Sequence, residues 1–318
     1  MKKKSDKEKD LEALKKDFEK AQNIFVTSFE KLTVQQDFEL RKTVRGAGGN
    51  YKVIKNNLAE KASQGTPAEE IMSQLAGMTS MASTKKDPVA LAKALTGYAK
   101  ANPTFTFKAG MVEGRVIDVK SIQALATLPA GSEGHVLDLA DGDATRALFA
   151  RLGSFDHLVF TAGETLQLGS LATTDLDAAR RFFALRYWGA YCAAKYGSSS
   201  IGEGGSIVFT SGIAGQRPHA GWALGASICA AMEGLTRALA VELAPVRVNI
   251  VSPGVVRTPL WANMAEADRG ALYQQTAERL PVGHVGDATE IAEAYLYLMR
   301  QSYSTGQVLV VDGGAVLV

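Results

Sequence analysis

Cysteine, tryptophan and long apolar runs are all scarce in this 318-residue chain. The two cysteines, Cys192 and Cys229, stand far apart in sequence and fit no metal-ligand spacing. That excludes a cysteine metal centre and a disulfide framework, and points to a reducing compartment with two plain thiols. No apolar run is long enough to be expected to cross a bilayer, and the Lys-rich opening Met1 to Lys7 leads into charged sequence rather than an apolar signal core. These shortages predict a cytoplasmic protein with no membrane partner and no metal.

The scarcities are also uneven. Residues 1–130 carry 19 Lys but 3 Arg, and residues 131–318 carry 12 Arg but 1 Lys, Lys195. All three Trp, all four His and both Cys lie in the second stretch. Charge divides the same way about the seam at 128–138, with 22 basic against 15 acidic residues in 1–130 and 13 against 18 in 131–318. The net charge of +2 is therefore a cancellation. A basic half beside an acidic one suggests that the basic half meets a polyanion. With 46% hydrophobic and 21% charged residues, there is material for two filled cores, one over 1–130 and one over 131–318.

In the first part, Leu11, Leu14 and Phe18 share a helical face, and residues 23–28 read as a strand. Thr33 caps a helix running to Arg45, with Val34, Phe38 and Leu40 as its apolar positions and Arg41, Lys42 and Arg45 gathered in its last turns. Gly46 stops it. Residues 51–55 alternate as a strand and Asn56 opens another helix. The intervening glycines lead from helix to strand, the reverse of a dinucleotide loop, so they form a turn and not a phosphate cradle. What capping leaves unexplained is the crowding of Arg41, Lys42, Arg45, Lys52, Lys55 and Lys61 around one helix-turn-strand-helix unit. A phosphate backbone rewards that convergence by releasing counterions.

Leu32-Thr33-Val34, Leu40-Arg41, Arg45, Gly48 and Tyr51 to Ala59, followed in order by Leu75 to Thr79, Asp87 to Ala90, Lys108 to Gly114 and Leu125 to Pro129, resemble the large-subunit ribosomal stalk-base family, protein ten. The resemblance implies a small α/β domain that binds large-subunit rRNA. It places Arg41, Lys42, Arg45, Lys52, Lys55 and Asn56 at the RNA. That family continues into a long C-terminal helix recruiting acidic stalk dimers; here the sequence changes instead, which argues against that partnership.

From Gly134 onward, strands and helices alternate. Residues 135–139, 156–161, 205–210, 246–251 and 307–311 read as strands, with amphipathic segments such as Ala226 to Leu243 between them. The run 156–161 centres on the apolar stretch Leu158-Val159-Phe160, which reads as a strand buried on both faces. Alternation of this kind builds a doubly wound parallel sheet.

The same stretch resembles the short-chain dehydrogenase/reductase family. Asp138, Thr161-Ala162-Gly163, Ser252-Pro253-Gly254, Thr258 and Val311-Asp312-Gly313-Gly314 stand in that family's order. The resemblance implies that Asp138, Thr161, Ala162, Gly163, Pro253, Gly254 and Thr258 would line a bound NAD(P), and that a homodimer could form through the C-terminal half. Two departures oppose catalysis. The first two strands, with the Gly-rich turn that holds the pyrophosphate, have no counterpart, so no cofactor is expected and NAD(P) would have to bind without that loop. The family's Asn, Ser, Tyr and Lys positions are occupied by Arg186, Gly212, Gly225 and Cys229. A phenol of pKa about 10 needs its cationic neighbour to serve at neutral pH, and neither is present. A one-residue slip offers Ser211 for the serine but still gives Leu224 and Ile228 for the pair. His219, beside Trp222, reads as a loop histidine and Cys229 as a packed thiol.

The fold class expected is therefore α/β: a small α/β rRNA-binding-type domain fused to an incomplete, doubly wound Rossmann-like parallel sheet. The function expected is rRNA binding with a non-catalytic appendage. An NAD(P)-dependent short-chain oxidoreductase with an atypical site is the alternative, and the joining of two unrelated genes is a third.

Overall fold

A computed structural model of the chain describes residues 4–129, 131–163 and 169–318; residues 1–3 of the Lys-rich start and Ala130 of the seam lie outside them. The chain divides into two compact units, Met1–Val136 and Leu137–Val318.

The N-terminal unit is built on β1 (Asn23–Phe29), the middle strand of an antiparallel sheet. With β2 (Asn50–Ile54), β3 (Thr79–Thr84), β4 (Phe105–Val112) and β5 (Arg115–Ile117), the order is β2-β3-β1-β4-β5. Alternation along β1 sends Phe25 to one face and Ile24 and Val26 to the other, and all three are fully buried. Phe25 joins a core with Leu40 and Val44 of α2 (Val34–Gly46), Leu91 and Leu95 of α5 (Pro88–Ala101) and Ile122 of α6 (Val119–Thr127). Ile24 and Val26 join another with Leu14 and Phe18 of α1 (Lys4–Lys20), Ala59 of α3 (Asn56–Ser63) and Ile71 of α4 (Glu69–Met72). Both faces are covered, which explains why apolar Ile24, Phe25 and Val26 stand on both sides of β1.

Local chemistry fixes the helix ends. Thr33 and Gln36 form the reciprocal capping box of α2. Asp87 accepts from the Val89 and Ala90 amides ahead of α5, where Pro88 occupies the first turn, and Asp118 accepts from Ser121 N ahead of α6. After α2 it is Gly48, at φ +71°, that takes the left-handed conformation rather than Gly46. The apolar face expected for α2 is only half right. Leu40 and Val44 are buried, but Val34 and Phe38 are 89% and 67% exposed.

The expected strand at 135–139 is absent; those residues take no regular structure. Val136 packs against the N-terminal core instead, Gly134 approaches Leu125 so closely that a Cβ would lie 2.8 Å from its Cδ2, and His135 Nδ1 lies 2.9 Å from Glu113 Oε1. These contacts hold 131–136 to the N-terminal unit, so the break falls after Val136 rather than at 130.

The C-terminal unit carries a parallel sheet of order β11-β8-β7-β6, made from β6 (Phe155–Val159), β7 (Ile201–Thr210), β8 (Arg247–Pro253) and β11 (Val308–Val311). Strands β9 (Val256–Arg257) and β10 (Gly286–Asp287) pair separately, α8 (Leu176–Phe183) precedes β7 and α11 (Glu266–Arg279) precedes β10. Helix α7 (Gly142–Leu152), capped by Asp141, precedes β6. Ile207, Phe209, Val248 and Ile250 face α9 (Ala190–Gly197) and α10 (Ala223–Glu242), while Val208 and Val251 face α12 (Ala288–Arg300). Helices on both faces make the doubly wound arrangement that the sequence predicts.

Two expectations change here. Among the described residues β6 pairs with β7 alone, and none of its five residues is fully buried, Val159 being 38% exposed. A strand at a sheet edge lacks the neighbours that would enclose it, so its apolar run does not mean burial. In addition, one helix, α10, is long and apolar enough to cross a membrane by length and composition. Its Ile228, Met232, Leu235 and Leu239 are spent on protein cores.

Candidate functional site

The basic residues of the N-terminal unit are not equivalent. Lys42 and Arg45 on α2 are exposed, as is Lys55, the residue preceding α3. Arg41 is half-buried: its Nε lies 2.7 Å from Asp37 Oδ2, its Nη1 donates to Tyr51 O at 3.4 Å, and its guanidinium lies 5.2 Å from the Tyr51 ring centre. Lys52 Nζ pairs with Asp17 of α1. Asn56 donates to Leu75 O and, at 2.9 Å, to Gly77 O, so its amide supports the 75–78 loop.

Lys108, in the middle of β4, holds the same loop from another side. Its ammonium donates to the carbonyls of Ala76 and Met78 and to Thr79 Oγ1 at 2.8 Å, and burial pulls its pKa below the ordinary lysine value. Sequence reasoning missed this role. A lone Lys in a strand reads as an outward-facing residue, and nothing local marks its three acceptors some thirty positions away.

In the C-terminal unit the candidate residues gather past the carboxyl ends of the parallel strands, where doubly wound sheets hold ligands. Thr161, Ala162 and Gly163 follow β6; Ser211 and Gly212 follow β7; Pro253 ends β8 and Gly254 follows; Asp312 follows β11. Gly254 N donates to Val311 O at 3.0 Å, and a Cβ on Gly254 would meet Asp312 Cα at 2.8 Å, so that position requires glycine. Thr258 Oγ1 accepts from Leu260 N and caps the short turn Pro259–Trp261. Asp138 stands apart from this group: it ends no strand, is exposed, and accepts from Ala140 N at 2.9 Å within its own turn.

Arg186 lies in the π-helical turn Ala184–Gly189, its guanidinium 5.6 Å from the Phe182 ring centre and pressed against Gly163, where a Cβ would come within 2.6 Å of Cζ. Gly212 faces Cys229, with 3.4 Å between a built Cβ and the sulfur. The hydroxyl of Ser211 donates to Cys229 O at 3.2 Å and sits 3.4 Å from Glu233 Oε1. Gly225 and Cys229 are both buried in α10. Burial is the main influence on the Cys229 thiol and pushes its pKa up, with Ser211 and Arg186 acting in the opposite direction. Lys195, the one lysine of this half, is exposed on α9 over the Tyr196 ring. Among these positions there is a thiol, a hydroxyl, a carboxylate and a guanidinium, but no phenol beside an ammonium. Among the described residues no three His, Cys, Asp or Glu side chains are placed to hold a metal ion.

Two family models match the chain, one described as Enoyl-(Acyl carrier protein) reductase over residues 115–316 and one described as Ribosomal protein L10 over residues 2–100. The large ribosomal subunit protein uL10 of Koribacter versatilis is 53% identical over 122 residues, covering 38% of this chain and 67% of the relative. The short-chain dehydrogenase/reductase ATR9 of Stachybotrys chlorohalonatus is 35% identical over 236 residues, covering 70% of this chain and 92% of the relative. The chain belongs to the short-chain dehydrogenase/reductase family, with a uL10 segment at its N-terminal end. A small-chain dehydrogenase crystallised in complex with NADPH matches with a TM-score of 0.56 at 43% identity, over 57% of this chain and 83% of that one.

The reductase model reaches back to residue 115, inside the N-terminal unit. Ile117 and Ile122 are buried in the N-terminal core with Phe25 and Leu91, so packing assigns β5 and α6 to that unit whatever the sequence match covers.

Proposed function

We propose that the chain works as an rRNA-binding protein of the uL10 type and that its short-chain dehydrogenase/reductase half does not transfer hydride. The observation carrying this is the contrast between two sites. The N-terminal unit keeps a sheet enclosed on both faces and an open basic surface, Lys42, Arg45 and Lys55, on the segment most like uL10. At the C-terminal unit's family positions stand Arg186, Gly212, Gly225 and Cys229, which offer no proton donor poised for a carbonyl oxygen. On this reading Arg41 and Asn56 position the RNA-facing surface rather than touch phosphate, and Lys52 reaches RNA only by leaving Asp17. Recruitment of acidic stalk dimers is not part of the proposal.

Titration of the intact chain with a stalk-base rRNA fragment at several salt concentrations tests it. Each phosphate neutralised steepens the fall of log K with log salt by about 0.7 to 0.9. Binding that is weak and independent of salt would overturn the reading.

A second reading has its own support. Gly163, Gly212 and Gly254 stand at the carboxyl ends of the parallel strands, and a relative at 43% identity was crystallised with NADPH. Thr161, Ala162, Gly163, Pro253, Gly254 and Thr258 would then be the residues nearest a cofactor, with Asp138 outside that group, and the cofactor would be held without a Gly-rich pyrophosphate loop. Quenching of NADPH fluorescence by the intact chain at micromolar concentration would favour it.

A further inference from the structure

Helix α2 presents a face that its own core does not explain. At 100° per residue, Val34, Phe38, Arg41, Lys42 and Arg45 fall within an arc of about 100°, opposite the buried Leu40 and Val44. No acidic residue lies inside that arc. Asp37 borders one side and is held by Arg41, while Glu39, beyond the other, accepts from Gln35. Phe38 is 67% exposed and Val34 89%, though both sit where a purely structural helix would carry polar residues. An exposed aromatic ring one turn from exposed Lys42, and two turns from Arg45, combines a stacking platform with phosphate-binding cations.

We propose that Phe38 stacks on an unpaired base of the bound RNA, with Lys42 and Arg45 engaging the adjacent phosphates. This rests on the rRNA reading of the N-terminal unit and adds a base contact to it. The charge of the face selects the occupant: with Arg41 already paired to Asp37, the exposed ring is left beside two exposed cations, Lys42 and Arg45, a combination that suits a nucleic acid.

The test uses the intact chain and a stalk-base rRNA fragment carrying 2-aminopurine at unpaired positions. Phe38→Ala is expected to weaken binding about tenfold to a hundredfold with an unchanged salt slope, Phe38→Trp to retain binding, and Lys42→Ala or Arg45→Ala to lower the slope by about one each. The 2-aminopurine signal at one position should be quenched by the unaltered chain and by Phe38→Trp but not by Phe38→Ala. Phe38→Ala binding within twofold of the unaltered chain would overturn the proposal, as would loss of association with a ribosomal protein but not with RNA. Failure of the unaltered chain to bind would instead overturn the underlying rRNA reading. Because Phe38 is exposed, an unchanged melting temperature separates lost stacking from lost fold.

Discussion

Strands β1 and β6 have similar apolar content and opposite circumstances. β1 has a partner on each edge and a helix layer on each face, and its Ile24, Phe25, Val26 and Thr27 are completely buried. β6 has one partner, and its residues are half-buried or exposed. Burial comes from neighbours rather than from the strand's own composition. The central strand of the N-terminal unit has neighbours on both edges and both faces, whereas among the described residues β6 is the edge of its parallel sheet. The chemistry divides the same way: an open basic face, Lys42, Arg45 and Lys55, on one unit, and Arg186, Gly212, Gly225 and Cys229 on the other.

The sharpest way to break this comparison is to truncate one strand at a time. Phe25→Ala should cost the N-terminal unit about 3–5 kcal/mol, since a fully buried aromatic leaves both lost transfer energy and a cavity. Leu158→Ala in half-buried β6 should cost about 1–2 kcal/mol, because less surface returns to water. Chemical denaturation followed separately for each unit checks both, and equal losses would contradict the contrast. Arg247 should fall between them. It is buried and donates to Leu298 O at 2.8 Å, Met299 O at 2.9 Å and Gly204 O, tying the end of α12 to β8. Arg247→Ala strands those carbonyls and should cost the C-terminal unit about 2–3 kcal/mol.

Smaller effects sharpen the reading of the C-terminal site. If Cys229 is a packed thiol, alkylation of the native protein should modify partly exposed Cys192 at least about tenfold faster, since burial keeps Cys229 protonated. Preferential modification of Cys229, read by mass spectrometry, would point to an activated nucleophile. The smallest effect is a pH dependence at His284, whose Nε2 lies 3.2 Å from Glu290 Oε1. The Glu290 hydrogen bond raises the histidine above its ordinary 6.5, and the Asp287 amide followed by His284 holds Glu290 below its ordinary 4.5. The histidine's contribution is therefore complete below pH 6.5 and lost as pH rises through its higher folded value. The carboxylate's is complete above pH 4.5 and lost as pH falls through its lower folded value. The pair supports the fold most between those limits, and NMR titration of His284 should give a midpoint above that of the same residue in Glu290→Gln.

Much of this was legible in the sequence because it is local. The cap at Thr33, the period of Leu11, Leu14 and Phe18, and the alternation that builds two classes of sheet all depend on near neighbours. The misreadings lie elsewhere. Val34 and Phe38 follow a core-like pattern, yet both are exposed on α2. Val136 has the composition of a strand residue but packs against the preceding unit. Lys52, Asn56 and Lys108 look like free polar groups and are committed to Asp17, to the 75–78 loop and to its carbonyls. For Lys52, Asn56 and Lys108 a contact distant in sequence decided the outcome.

The central claim is that the uL10-type unit is the working part, and the most direct measurement is the rRNA titration comparing the intact chain with a Lys42→Ala, Arg45→Ala, Lys55→Ala variant. The account predicts salt-sensitive binding, with a slope reduced by about two to three in the variant and no NADPH oxidation with simple carbonyl substrates. Equal binding by both proteins, or none by either together with saturable NADPH binding, would contradict it and move the function to the crevice at the ends of the parallel strands.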